Sequence, residues 1–315
     1  MTATQEYKTL SSGALFPVIG LGTYAPLQGE NEVITAVKAA VRAGYRHIDC
    51  AAVYRNERAV GHALKELIVE GVVKREDLYV VSKLWNTCHR PDLVLPSLKK
   101  TLDDLGLQHL DLYLMHWPMA YKEGGDLNPC DENGKTIYSD VDYLDTWKAL
   151  EDCRDMGVTK DIGLSNFNSK QIQRLSESAR IQPVALQVEV NCRNSNIKLI
   201  EFCKSKNIAV IAFAPVGSPS MEKNVRLIDE PVVKDIAVAH KKSPAQVAIR
   251  FCLQLGIAAV PKSVTPSRIV ENMQVFDFNL SEAEMSALKA LNTNHRLYDE
   301  QIALEHKYYP FHDEF

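Results

Sequence analysis

The feature that most constrains this chain is an alternation that persists almost from end to end. Short apolar runs at residues 19–24, 47–51, 78–84, 110–117, 161–165, 185–190, 209–214 and 258–262 are separated by longer stretches whose apolar residues recur at i, i+3 and i+4. Those stretches include residues 31–43, 57–70, 91–105, 141–156 and 243–255. Several runs (LYVVSKL, LDLYLMHW, AVIAFA) lack the polar alternation of a half-wet strand, which fits parallel strands buried on both faces. Parallel neighbours need crossovers, and the helical stretches supply them.

Boundary chemistry agrees. Asn168 with Gln171, and Ser281 with Glu284, form capping-box patterns, and Pro244 stands at a first helical position behind Ser243. Gly44, Gly106 and Gly157 fall where helices should stop. No Ser/Pro-rich linker interrupts the repeat, so residues 1–315 are expected to form a single α/β domain, a closed (β/α)8 TIM barrel. A doubly wound open sheet is the alternative. Residues 8–10 and 14–16 around Ser11-Ser12-Gly13 read as a β-hairpin plugging one end of the barrel. The polar insertion at 119–140 and the tail at 292–315, a C-terminal loop extension, exceed a bare barrel and should shape a pocket at the carboxyl face.

Charge narrows the function classes. With 36 Lys+Arg against 40 Asp+Glu the net charge is −4, and no basic tract occurs, so neither a nucleic acid nor a membrane surface is an expected partner. No apolar run approaches the ~18 residues of a membrane span. The seven cysteines are scattered and form no C-x-x-C pair, which reads as free thiols in a reducing compartment. Residues 1–10 show no basic region followed by an apolar core, so the cytoplasm is the expected location, and the closing HDEF reads as a polar tail. No metal-ligand spacing is evident, and nothing demands more than a monomer.

Chemistry-bearing residues collect at run ends. Residues 20–25 (GLGTYA) satisfy G-x-G-x-x-A, but Pro26 and Gly29 intervene before the helix that should hold a pyrophosphate; the glycines read instead as a close turn at the barrel mouth. Asp49, Tyr54, Lys83 and His116 lie at or just beyond the ends of consecutive runs, which a barrel brings to one rim. Each alone has a plain reading as packing, a solvated cation or a satisfied imidazole. Together they suit carbonyl chemistry. Tyr54 serves as general acid, Lys83 as a cation that lowers its pKa, Asp49 as the carboxylate that keeps Lys83 charged, and His116 as a neutral donor orienting a carbonyl. A hydride donor is then required.

Three long segments carry a family resemblance. GYRHIDCAAVYRNERAVG (44–61), LEDCRDMGVTKDIGLSNF (150–167) and VPKSVTPSRIVEN (260–272) resemble the signatures of the aldo-keto reductases, in order, within a likeness spanning about residues 9–311. The resemblance implies a (β/α)8 barrel that binds NADPH or NADP+ without a Rossmann fold, and it places Asp49, Tyr54, Lys83 and His116 in the catalytic tetrad. It also implies cofactor contacts from Gly22, Thr23 and Asp49, from Ser165, Asn166 and Gln187 to the nicotinamide carboxamide, and from Pro215, Val216 and Ser218 over the pyrophosphate. Lys262, Ser263, Val264, Thr265, Arg268, Glu271 and Asn272 resemble the adenosine end, where Lys262 and Arg268 would grip a 2′-phosphate through charge-assisted bonds. Phe213 stands where a stacking Tyr is common, and Ala214 where a Ser usually follows; the stacking face survives and a hydroxyl is lost.

Tyr24, Val53, Tyr54, Trp85, His116 and Trp117 resemble substrate contacts, with Leu297, Tyr298 and Ile302 adding a variable wall. Such a pocket favours aldehydes and hydrophobic ketones. The chain looks most like arthropod members, some of which reduce ecdysteroid ketones. Two other readings stay open: a cofactor-holding regulatory or structural barrel, and a lyase or aldolase using Lys83 as a Schiff base.

Overall fold

The computed structural model describes residues 5–25, 28–218, 226–313 and 315. Pro26, residues 1–4 and Glu314 lie outside the described residues. A short antiparallel hairpin comes first, β1 (Tyr7–Thr9) and β2 (Leu15–Pro17), with Lys8 opposite Phe16. Eight parallel strands follow: β3 (Gly20–Gly22), β4 (His47–Asp49), β5 (Tyr79–Leu84), β6 (Leu110–Met115), β7 (Thr159–Ser165), β8 (Ala185–Glu189), β9 (Ala209–Phe213) and β10 (Ala258–Val260). Each pairs with the next in chain order. Parallel bridges Ile19–Ala259 and Gly22–Lys262 close the seam between β3 and β10. That order excludes the doubly wound alternative, in which strand order reverses at a switch point.

The crossovers are α1 (Glu30–Ala43), α2 (Glu57–Val69), α3 (Pro91–Leu105), α4 (Tyr143–Asp155), α5 (Ser169–Ser178) and α6 (Ile197–Ser205), then α7 (Pro231–His240) and α8 (Pro244–Gln254) between β9 and β10. After β10 come α9 (Pro266–Met273), packed against α1, and α10 (Glu282–Lys289), packed against α7. The capping boxes form at Asn168, Ser243 and Ser281. Gly44 ends α1 at φ 110°, a left-handed value that favours glycine. None of the helices among the described residues is long and apolar enough to cross a membrane.

One expectation needs correction. Gly20 and Gly22 lie within β3 and do not form a turn. A Cβ on Gly20 would sit 2.6 Å from the His47 ring, and one on Gly22 would sit 2.8 Å from the Val260 carbonyl oxygen. Close approach to β4 at Gly20 and to the β10 side of the seam at Gly22, and not phosphate binding by a fingerprint loop, is what these glycines permit.

Apolar side chains fill two layers and a cap. The larger layer lies between strands and helices. Inside the barrel, Val81, Leu112, Leu114, Ile211 and Val260 meet Leu10, Phe16 and Val18 from the hairpin region, so the amino end is plugged. At the carboxyl end Trp85, Trp117, Met119, Tyr121, Ala303 and Tyr309 cluster, joining the insertion to the tail. Buried Asn168 fixes the tail by donating to the Pro310 carbonyl at 2.9 Å.

Candidate active site

Strand register delivers the four ionisable residues to one rim. Asp49 ends β4, Lys83 lies near the end of β5, His116 follows β6 directly, and Tyr54 closes a 3-10 turn, Ala52–Tyr54, just past β4. Lys83 Nζ donates to both oxygens of Asp49 at 2.9 Å and to the Cys50 carbonyl at 2.8 Å, and it approaches the Tyr54 hydroxyl at 3.3 Å. The ammonium also lies 5.0 Å from the centre of the Tyr54 ring. Lys83 is fully buried, a position a cation holds only when its donors are satisfied.

Electrostatics follow from this packing. Burial opposes the charge on Lys83, yet Asp49 and Tyr54 outweigh it and hold the ammonium pKa above its usual value. Burial pushes the Tyr54 phenol up to about 12, with Lys83 pulling the other way. The expected lowering of Tyr54 is therefore corrected: Lys83 acts in the anticipated direction, and desolvation exceeds it. His116 falls well below the usual imidazole range through burial first, then Lys83 and His89, and is neutral at physiological pH.

The neighbouring strands bring polar groups against this cluster. Gln187 on β8 donates to Asp49 Oδ1 at 2.7 Å and stands beside Ser165, the last residue of β7, in register. Asn166 adopts a left-handed φ of 60° and donates to the His116 carbonyl at 3.0 Å and to Ser165 Oγ at 3.2 Å. Its Oδ1 is buried without a partner among the described residues. Thr23, just past β3, donates both its N–H and its hydroxyl to the Asp49 carbonyl. Phe213 ends β9 opposite Glu189. Pro215 and Ser218 are buried and Val216 half-buried in the segment that follows.

Beyond β10 lie Lys262, Ser263, Val264 and Thr265, with Arg268, Glu271 and Asn272 on α9. Lys262 and Arg268 have no carboxylate partner among the described residues; burial alone pulls the Lys262 pKa down. Of the wall residues, Tyr24 packs 5.1 Å from Tyr54, Trp85 stands 5.3 Å from His116, and Tyr298 lies 6.4 Å from Tyr24, each measured between ring centres. Trp117 packs on Phe311, with Val53 against the same cluster. Ile302 is held through its carbonyl, which accepts from the Tyr138 hydroxyl, and its side chain is exposed.

Three supporting residues escape sequence reasoning. Asn56 donates to the Thr23 carbonyl at 2.8 Å, the Leu127 carbonyl in the insertion accepts the Trp85 indole N–H at 2.7 Å, and buried Glu189 accepts the Leu297 and Tyr298 amides. For Glu189 a signal exists: it follows Gln187 by two, the spacing of one strand face.

Residues 18–293 match the model of the Aldo/keto reductase family. The chain belongs to the aldo/keto reductase family. An aldo/keto reductase from Gallus gallus, "Aldo-keto reductase family 1 member A1", is 45% identical over the full length of both chains. "Dihydrodiol dehydrogenase 3" from Bos taurus is 43% identical over 97% of each. Among solved structures, the aldose reductase from Schistosoma japonicum superposes with a TM-score of 0.94 at 46% identity, covering 98% of this chain and all of that one. Ala214 takes a left-handed φ of 48°, a strained value for a residue with a Cβ.

Proposed function

We propose that this aldo/keto reductase is a cytoplasmic, monomeric enzyme that reduces aldehydes and hydrophobic ketones with NADPH. The observation that carries this reading is the Lys83 cluster. Three of its contacts go to Asp49 and Cys50, and the remaining one faces the Tyr54 hydroxyl, a neutral O–H donor whose phenolate the ammonium would stabilise. Two further features fit a phosphorylated nicotinamide dinucleotide. Among the described residues the Asn166 Oδ1 has no partner and is an acceptor suited to a carboxamide N–H, and Lys262 with Arg268 offers positive charge without a carboxylate partner for a phosphate.

When bound, NADPH supplies a hydride to the carbonyl carbon. The chain's own residues do the rest. Ser165, Asn166 and Gln187 orient the carboxamide, while neutral His116 donates to the carbonyl oxygen and aims it at Tyr54. The Tyr54 hydroxyl releases its proton to that oxygen, completing an alcohol, and the phenolate left behind faces the Lys83 ammonium. Asp49 keeps Lys83 charged throughout. The same saturation counts against a Schiff base at Lys83, which requires an uncharged amine. Trp85, Trp117, Tyr24 and Tyr298 exclude water from the reacting bond and favour apolar substrates, an ecdysteroid ketone among the candidates.

The test is NADPH oxidation with a panel of aromatic aldehydes and a steroid ketone, in wild type and Tyr54→Phe. The variant should lose at least about 10²-fold in kcat while retaining NADPH binding by fluorescence quenching. Undiminished turnover in the variant would remove Tyr54 from the mechanism. Cofactor binding without turnover in the wild type would instead make the chain a non-catalytic barrel.

A further inference from the structure

The substrate wall and the segment after β9 meet at one side chain. The wall is pinned by Glu189, fully buried at the end of β8: its Oε2 accepts the amides of Leu297 at 2.9 Å and Tyr298 at 3.0 Å, and its Oε1 accepts Asn191 Nδ2 at 3.3 Å. With its backbone so fixed, Tyr298 lays its ring edge-on against Phe213 at 5.6 Å and against Tyr24 at 6.4 Å. Tyr24 in turn packs on Tyr54. The Tyr298 hydroxyl donates to Ser218 Oγ at 3.1 Å, and Ser218 is buried. One residue thus touches the neighbour of the proposed acid, the proposed nicotinamide wall and the segment assigned to the pyrophosphate.

None of these contacts is required by the chemistry, since Tyr298 reaches neither Lys83 nor His116. They lie between two binding sites, where ordering one side lowers the entropic cost of ordering the other. We propose that Tyr298 is a positioning residue that couples the two sites: the Tyr298–Ser218 hydrogen bond makes the segment after β9 and the tail wall order together, so that a bound cofactor preorganises the carbonyl pocket. This rests on the reductase reading. Reciprocity follows: a bound carbonyl compound tightens the cofactor by the same factor.

The test uses the full chain as wild type, Tyr298→Phe, Ser218→Ala and the double variant. NADP+ affinity is measured by fluorescence quenching with and without saturating benzaldehyde, a pair that cannot turn over. Wild type should bind NADP+ more tightly when benzaldehyde is present. Tyr298→Phe should weaken NADP+ binding about three- to tenfold, the range of one neutral hydrogen bond, and Ser218→Ala, which also loses that side chain's own expected cofactor contact, by at least as much. Both should lose that enhancement, with the double variant no worse than Ser218→Ala. Additive losses, or an enhancement unchanged in Tyr298→Phe, would overturn the coupling even though NADP+ binds. Wild type that binds no NADP+ would overturn the reductase reading and the coupling with it. Amide exchange in the cofactor-free protein gives an independent readout. Tyr298→Phe should speed exchange at Leu297, Tyr298 and residues 216–218 together, and unchanged exchange at either segment would defeat the shared ordering.

Discussion

Glu57, in the first turn of α2, is a carboxyl that sequence reasoning would leave at the surface, since acidic residues favour helix N-termini exposed to water. It is instead buried, accepting from Ser82 at 2.6 Å and Thr101 at 3.0 Å, and burial lifts its pKa from 4.5 to about 7 against the pull of both hydroxyls. Between those values the native state holds a proton that the unfolded chain has released. The stability Glu57 contributes is therefore complete below about pH 4.5 and is lost as pH rises through 7. A shift of this size corresponds to roughly 3 kcal/mol. Glu57→Gln, a permanent mimic of the protonated acid, should flatten that dependence: in urea denaturation its loss of stability between pH 5 and 8 should be smaller than the wild type's by about 1–3 kcal/mol. Parallel pH profiles would show that Glu57 titrates normally. The rim residues were legible because a parallel barrel forces strand ends together, so Asp49, Lys83 and His116 could be placed from sequence order alone. Glu57 was not, because what distinguishes it is burial by other elements, which no local pattern encodes; for Glu189 strand spacing gives the face it shares with Gln187 but not the tail amides it accepts.

At the scale of elements, helical period located α3 at 91–105 residue for residue and the other helical stretches named above to within two residues. Except for β7, which begins two residues ahead of its run, strands are shorter than their apolar runs, because residues such as His116 and Ala214 continue the pattern after the ladder has ended. The repeat predicts one helix between β9 and β10, whereas the described residues there hold two; a crossover needs a minimum length and sets no maximum. Packing between elements is the least legible level, and Gly61 shows why. It sits inside α2, where glycine costs about 1 kcal/mol relative to alanine. The helix keeps it because a Cβ there would lie 2.6 Å from the Asp104 carbonyl oxygen and 2.7 Å from that of Leu105, at the end of α3. Backbone atoms cannot swing aside as a side chain can. Gly61→Ala should therefore destabilise the protein by about 1–3 kcal/mol despite the gain in helix propensity, read as a lower denaturation midpoint. A raised midpoint would mean that α2 and α3 separate at little cost.

Over the whole molecule, the two ends of the barrel divide the work. The carboxyl end holds the Lys83 cluster, the insertion and the tail; the amino end holds the hairpin, whose Leu10 and Phe16 turn into the core while Tyr7 and Leu15 stay exposed. Phe16 is the centre of that plug. It is 1% exposed, with its ring 5.0 Å from Tyr79 and 4.9 Å from His47, whose pKa burial pushes down to about 4. Phe16→Ala should cost about 3–5 kcal/mol, the lost transfer energy plus a cavity. The lower part of that range is expected here, because the two neighbouring rings each carry a buried polar atom without a partner among the described residues, Tyr79 Oη and His47 Nε2, to which admitted water would bond. The folded variant should nevertheless keep the wild-type kcat and KM, since β4, β5 and β6 carry Asp49, Lys83 and His116 at their opposite ends. Denaturation midpoints measured beside steady-state kinetics on the same preparation separate the two effects. A fall in kcat comparable to the loss of stability would mean that the plug also sets the geometry of the rim, and the division between a stabilising face and a reactive face would not hold for this barrel.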